Sequence, residues 1–186
     1  MSALTDHLKN SLSSVVSGVG DVVSTTRDVT KENVVGLLKA GQEVATTSED
    51  AVADVVSEGV GAVSQAGVSF TQGVTGLVIG AIEGAKEVGA DVGTTTIAAA
   101  RGAVKGTSLV GGDLGEAAVS AVEGSIAASR DIGGDVGELA KDAVMGTLKA
   151  SDEIGSEAGG LVRKALLNAA ALPHDVIDAL LTGKTD

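Results

Sequence analysis

The chain has no cysteine, tryptophan or tyrosine, and its 186 residues include one proline, Pro173, and one phenylalanine, Phe70. Without cysteine there is no disulfide framework and no thiolate metal site. Without aromatics, the large side chains on which a ball-shaped core ordinarily leans are missing. Basic residues are scarce too: 13 Lys and Arg stand against 25 Asp and Glu, a formal net charge of −12. No Lys/Arg cluster breaks that balance, which argues against nucleic acid and against a strongly anionic lipid surface, and leaves neutral lipid open. The opening MSALTDHLKN holds neither a basic n-region nor an apolar h-region, so no cleavable secretory signal is expected. The expected location is cytoplasmic, or peripheral to or inserted in a membrane.

What the chain does have is 27 glycines and an apolar fraction of 44%, supplied by Val, Ala, Leu and Ile. A disordered chain carries few apolar residues, so this one is expected to fold. Side chains this small suit elements whose backbones approach closely.

The ordering of those residues is periodic. Residues 74–95, 96–117, 118–139 and 140–161 align without a gap as 22-residue rows. One column reads Gly80, Gly102, Gly124, Gly146; another reads Ile82, Val104, Ile126, Leu148. Val88, Val110, Ile132 and Ile154 are each followed by glycine, at 89, 111, 133 and 155, and then by an acidic column, Asp91, Asp113, Asp135 and Glu157. The same phase runs more weakly from about residue 8 to residue 171. Repeats of this length specify an architecture in which one unit cannot bury its apolar face alone.

Six helical turns at about 3.67 residues per turn make this period, which predicts a right-handed supercoil. The expected fold class is therefore all-α, with one very long helix per chain over residues 8–171. An N-terminal cap at 1–7 precedes it, with Ser2 or Thr5 as capping side chain, and a short helix and tail after Pro173, at 172–186, follow it. A solenoid of short helices shares the period but needs a turn in every repeat. The Gly-Gly pairs at 111–112, 133–134 and 159–160 are the candidates, read first as packing residues and second as turns.

On the helical wheel, charged residues such as Glu83, Lys86, Glu87 and Asp91 gather on one side, opposite an apolar arc about 200° wide. Two stripes run along that arc. The first carries Val88, Val92, Val110, Leu114, Ile132 and Val136. The second carries Val78, Ile82, Val104, Val122, Ile126, Val144 and Leu148. Ile154 ends the large residues, and Gly89, Gly93, Gly111, Gly115, Gly133, Gly137, Gly155 and Gly159 supply the holes. Two stripes can hold two neighbours, so these residues are the expected interface of a homo-oligomer of many copies: a bundle, barrel, sheet or filament. A glycine inside a helix costs about 1 kcal/mol relative to alanine, and close backbone approach is the usual compensation.

Gly59–Ile82 runs 24 residues without a charge, ending in Gly76-xxx-Gly80-xxx-Gly84. That length suffices to cross a bilayer, while Ser64, Gln65, Ser69, Thr71, Gln72 and Thr75 dilute it. Chemistry is sparse elsewhere. His7 and His174 sit at opposite ends without partners at ligand spacing, and the acidic column reads as a solvated face before it reads as a row of cation ligands. No nucleophile stands with a base and no phosphate loop is complete, so no catalytic, cofactor or metal site is expected. The chain resembles eleven-residue-repeat helical proteins, the hendecad coiled coils, over most of its length. Through GAIEGAKEVGADVG (80–93) it is more distantly similar to the lipid-binding synuclein- and apolipoprotein-type helices, matching the synuclein element at Lys86-Glu87-Val88. Those relatives imply architecture and, for the second group, lipid surfaces as partners. The functional expectations are a structural self-assembling scaffold, an amphipathic coat on membranes or droplets, or a membrane-embedded oligomer crossing near Gly59–Ile82.

Overall fold

The computed structural model describes residues 3–16, 21–44 and 49–182. It is all-helical among the described residues, but the single continuous helix expected over 8–171 does not form. The chain folds instead as α1 (Ala3–Val16), α2 (Val22–Val44), α3 (Glu49–Ala66), α4 (Phe70–Glu87), α5 (Val92–Leu109), α6 (Leu114–Ile132), α7 (Val136–Ile154), α8 (Ser156–Asn168) and α9 (His174–Thr182). Each row of the repeat is one helix of 18 or 19 residues plus a short turn from α4 to α7.

Two of the three Gly-Gly pairs expected first to pack make reversals instead, at 111–112 and 133–134, as does Gly89, while Gly159 and Gly160 lie inside α8. Gly89, Gly111 and Gly133 take φ between 70° and 72°, the left-handed region that ends a helix and that glycine alone enters without steric cost. The amides beyond them close back on the helix: Ala90 N donates to Ala85 O at 2.9 Å, Gly112 N to Thr107 O at 2.9 Å and Gly134 N to Ser129 O at 2.8 Å. Two residues later the acidic column starts the next helix. Asp91, Asp113 and Asp135 each accept the backbone N–H three residues on, from Thr94, Glu116 and Glu138, at 2.7 to 2.9 Å. The recurring string Val/Ile-Gly-x-Asp is thus a helix stop, a left-handed corner and a helix start. At 154–157 it becomes Ile-Gly-Ser-Glu, Gly155 takes φ 153°, and α8 begins at once without a side-chain cap. Thr5 lies inside α1 and is not a cap, and Ser2 lies outside the described residues.

Helices pack mainly with the next but one. α1, α3, α5, α7 and α9 form one layer; α2, α4, α6 and α8 form the other. Neighbours within a layer run parallel, because glycines advancing along one helix meet residues advancing along the other: Gly76, Gly80 and Gly84 of α4 face Val23, Arg27 and Lys31 of α2. The core lies between the layers and is built of small side chains, with Val56, Val60, Val74, Leu77, Val78, Ile82, Ala99, Ala103, Val122 and Val144 fully buried. Several hydroxyls inside it are satisfied locally: Thr26, Thr107, Ser125 and Thr147 each donate to a carbonyl one turn earlier in their own helix, whereas the buried hydroxyls of Thr30 and Ser129 find no partner. Among the described residues no helix is long and apolar enough to cross a membrane. The uncharged Gly59–Ile82 segment is divided between α3 and α4 by a turn at Gly67, φ 69°.

Candidate functional site

The feature repeated most faithfully is a contact between parallel helices. Gly102 of α5 lies on the carbonyl of Ala53 in α3, Gly146 of α7 on that of Ile97 in α5, and Gly80 of α4 on that of Arg27 in α2. At Gly124 of α6 a Cβ would stand 2.9 Å from the carbonyl of Thr75 in α4. In each case a methyl group would collide with backbone that cannot turn aside. The separation in sequence is identical for the pairs 53/102, 75/124 and 97/146, so one interface is reused in both layers. Branched side chains flank it: Val60 beside Gly106, Val78 beside Gly124 and Val34 beside Gly84.

Ion pairs clamp both layers, in a different register in each. Arg27 of α2 holds Glu83 of α4 through two hydrogen bonds, Nε to Oε2 at 2.7 Å and Nη2 to Oε1 at 2.5 Å. Glu83, assigned above to the solvated face, is 8% exposed. Its hydrogen bond to Arg27 raises the guanidinium further above its ordinary range. Lys31 meets Glu87 at 2.9 Å, which holds that carboxyl below its usual value. In the other layer Arg101 of α5 joins Asp50 of α3 to Glu153 of α7, and Lys105 meets Asp54 at 3.0 Å. One carboxylate stands apart. Asp142 of α7 projects beside Gly93 at the start of α5; burial, then Glu138 on its own helix and Asp91 across from it, raise its pKa against a smaller opposing effect of Lys141.

The expected interface residues are placed as follows. Val78, Ile82, Val104, Val122 and Val144 are fully buried and Ile126 is 9% exposed, all inside one chain. Val88, Val92, Leu114, Ile132, Val136 and Leu148 are half-buried against the same core. Val110 and Ile154 are exposed. Gly89, Gly111 and Gly133 form corners, while Gly93, Gly115, Gly137 and Gly159 lie in the first turns of α5 to α8. The one glycine column that receives a neighbouring backbone in all four rows is Gly80, Gly102, Gly124 and Gly146, joined by Gly76, Gly84 and Gly106. That column is visible in the sequence, yet only its burial and close contacts separate it from the corner glycines.

Exposed large apolar side chains are Leu109, Val110, Met145, Ile154, Leu161 and Leu167 among the described residues. Leu109, Val110 and Ile154 sit at the ends of the parallel helices α5 and α7, along one rim of the molecule. Beside them Leu114, Ile154, Ala158 and Leu161 line a shallow open groove of about 430 Å³. Among the described residues, no cluster of three or more His, Cys, Asp and Glu has the geometry to hold a metal ion. No protein-family model matches the chain, and no curated protein is similar to it in sequence.

Proposed function

We propose that the protein is a non-catalytic structural scaffold that assembles with copies of itself, extending into a filament or sheet. One observation carries this reading: a close-packed contact of glycine on a neighbouring carbonyl recurs in α4, α5, α6 and α7, with an identical sequence separation in the last three, so successive helices are added by a repeating rule. In such arrays each unit touches only its neighbours, and solubility requires that the end units be capped by polar faces. Here four of the exposed large apolar residues, Met145, Ile154, Leu161 and Leu167, lie in α7 and α8 near the C-terminal end. Sedimentation velocity of the full chain over a concentration series is the direct test. The reading expects species larger than the monomer that grow with concentration; a single monomeric boundary throughout would end it.

A second reading, a coat on neutral lipid, is supported by the rim of Leu109, Val110 and Ile154, since Leu109 is 76% exposed. Flotation with phosphatidylcholine vesicles tests it. Binding that Leu109→Glu abolishes would favour the coat, and no flotation of the unaltered chain would remove it.

A further inference from the structure

Resting on the self-assembly reading, we propose that copies join head to tail, with α8 of one copy lying against α2 of the next as another parallel neighbour in the even layer. Gly36 is the observation that carries this. It stands two repeats before Gly80 and so belongs to the column that seats α4 to α7 on their predecessors, a column that holds Glu58 in α3 and Asn168 in α8. In α4, α5, α6 and α7 that glycine is closed by a neighbouring backbone. In α2 no such helix stands there among the described residues: Gly36 is exposed and a Cβ there would meet nothing within 4 Å. It lies on the side of α2 opposite Arg27, where α4 packs, and continues an exposed strip of Ser24, Asp28, Glu32 and Ala40 at four-residue spacing.

The complementary face is at the other end. Three repeats after Ile97, whose carbonyl receives Gly146, the same column reaches Arg163 in α8. No further helix of the even layer covers that side among the described residues, and Gly160, Lys164 and Leu167 are exposed there. The odd layer is closed at both ends. α9 packs on α7, with its Ile177 and the preceding Leu172 0% and 3% exposed, and α1 turns the polar Asp6, Asn10, Ser13 and Ser14 outward. Each end of the molecule thus has one open helix, a glycine hole at the front and leucine beside backbone at the back. A heterologous contact of this kind generates rings or filaments.

The absence of native cysteine gives a direct test. Gly36→Cys and Leu167→Cys are made separately in full-length chains of different mass, mixed, and oxidised. A cross-link between the two variants in the mixture, with none from either alone, is expected. Equal cross-linking of each variant with itself, or none in the mixture, overturns the head-to-tail contact. Gly36→Arg is expected to weaken association more than about tenfold with an unchanged urea midpoint, since its side chain enters open space in the isolated chain. If the unaltered chain assembles and Gly36→Arg assembles equally well, this interface is wrong and the scaffold reading survives. If the unaltered chain is monomeric, both fall.

Discussion

At the scale of single residues, one side-chain type serves opposite ends. Glycine at 111 bends the chain, whereas glycine at 146 admits a neighbour, and the two respond differently to alanine. At Gly111 the penalty is conformational, about 1 to 2 kcal/mol for an L residue in the left-handed region. At Gly146 a methyl group meets the Ile97 carbonyl, and overpacking of this kind costs about 1 to 3 kcal/mol. Gly61 of α3 faces open space, so Gly61→Ala is expected to raise stability by about 0.5 to 1 kcal/mol. Urea denaturation of the three variants reads these signs directly. The acidic column is likewise defined by what its oxygens accept. Asp113→Ala should lose about 1 kcal/mol and Asp113→Asn very little, because asparagine caps as well as aspartate; equal losses would point to charge rather than capping. Two carboxylates respond to pH in opposite senses. Hydrogen bonds from the Thr94 amide and hydroxyl hold Asp91 below the usual carboxylate range, so its contribution is complete above that range and is lost as pH falls through the lowered value. Burial, reinforced by Glu138 and Asp91, raises Asp142, so the fold binds that proton more tightly than the unfolded chain. Stability is then lost as pH rises from the ordinary aspartate value through the raised one. Asp142→Asn is therefore expected to be more stable than the unaltered chain at neutral pH and indistinguishable from it under acid conditions, as thermal melts at both pH values would register.

At the scale of the element, the most legible part was the repeat and the least legible was its shape. Helical type and the short helix after Pro173 follow from composition and from proline's missing N–H, and α9 starts directly after it, but the preceding helix ends at Asn168, before the proline, and not at residue 171. The length of each helix did not follow, because a period of 22 residues is compatible both with a continuous helix and with a helix-plus-corner unit. The deciding signal was present as Val/Ile-Gly-x-Asp: the left-handed corner and the acceptor two residues beyond it are the two halves of a helix boundary. Periodicity alone could not weigh it, since glycine and aspartate on a wheel read as a hole and a solvated face. Glu83 illustrates the same limit. Its column reads Glu83, Lys105, Ala127, Lys149, and Arg27 from a different helix lies over Glu83; no spacing within one repeat announces that pairing. Here the element scale carries a prediction of its own. Arg27→Ala removes a two-pronged partner from a buried carboxylate, and breaking a fully buried pair costs about 3 to 5 kcal/mol. With Arg27 38% exposed, screening reduces that, and a loss of about 1 to 2 kcal/mol is expected. Lys31→Ala, whose pair with Glu87 is open to water on both sides, should shift the urea midpoint less than Arg27→Ala does.

At the scale of the whole molecule, the corners convert a sequence repeat into a countable unit. In a continuous helix of two eleven-residue halves, removing eleven residues preserves the phase of every face. In the layered array, removing residues 92–102 leaves a shortened helix, residues 103–109, between two intact corners, too short to fill the seat of a whole one. Removing residues 92–113 instead brings Asp91 directly before Leu114 and rebuilds the string Val-Gly-Ala-Asp-Leu-Gly, so each later helix moves into the seat of the one before it. The seat glycines keep their register, because Gly124 then meets the residue that formerly received Gly102, the carbonyl of Ala53. The chain lacking 92–113 is therefore expected to unfold cooperatively, with a denaturant slope reduced in rough proportion to the one helix lost, since that slope follows the surface exposed. The chain lacking only 92–102 should lose cooperative unfolding while keeping much of its helical circular dichroism. The reverse outcome, cooperative folding after eleven residues are removed but not after twenty-two, would mean that helical phase rather than the glycine corner is what the repeat preserves.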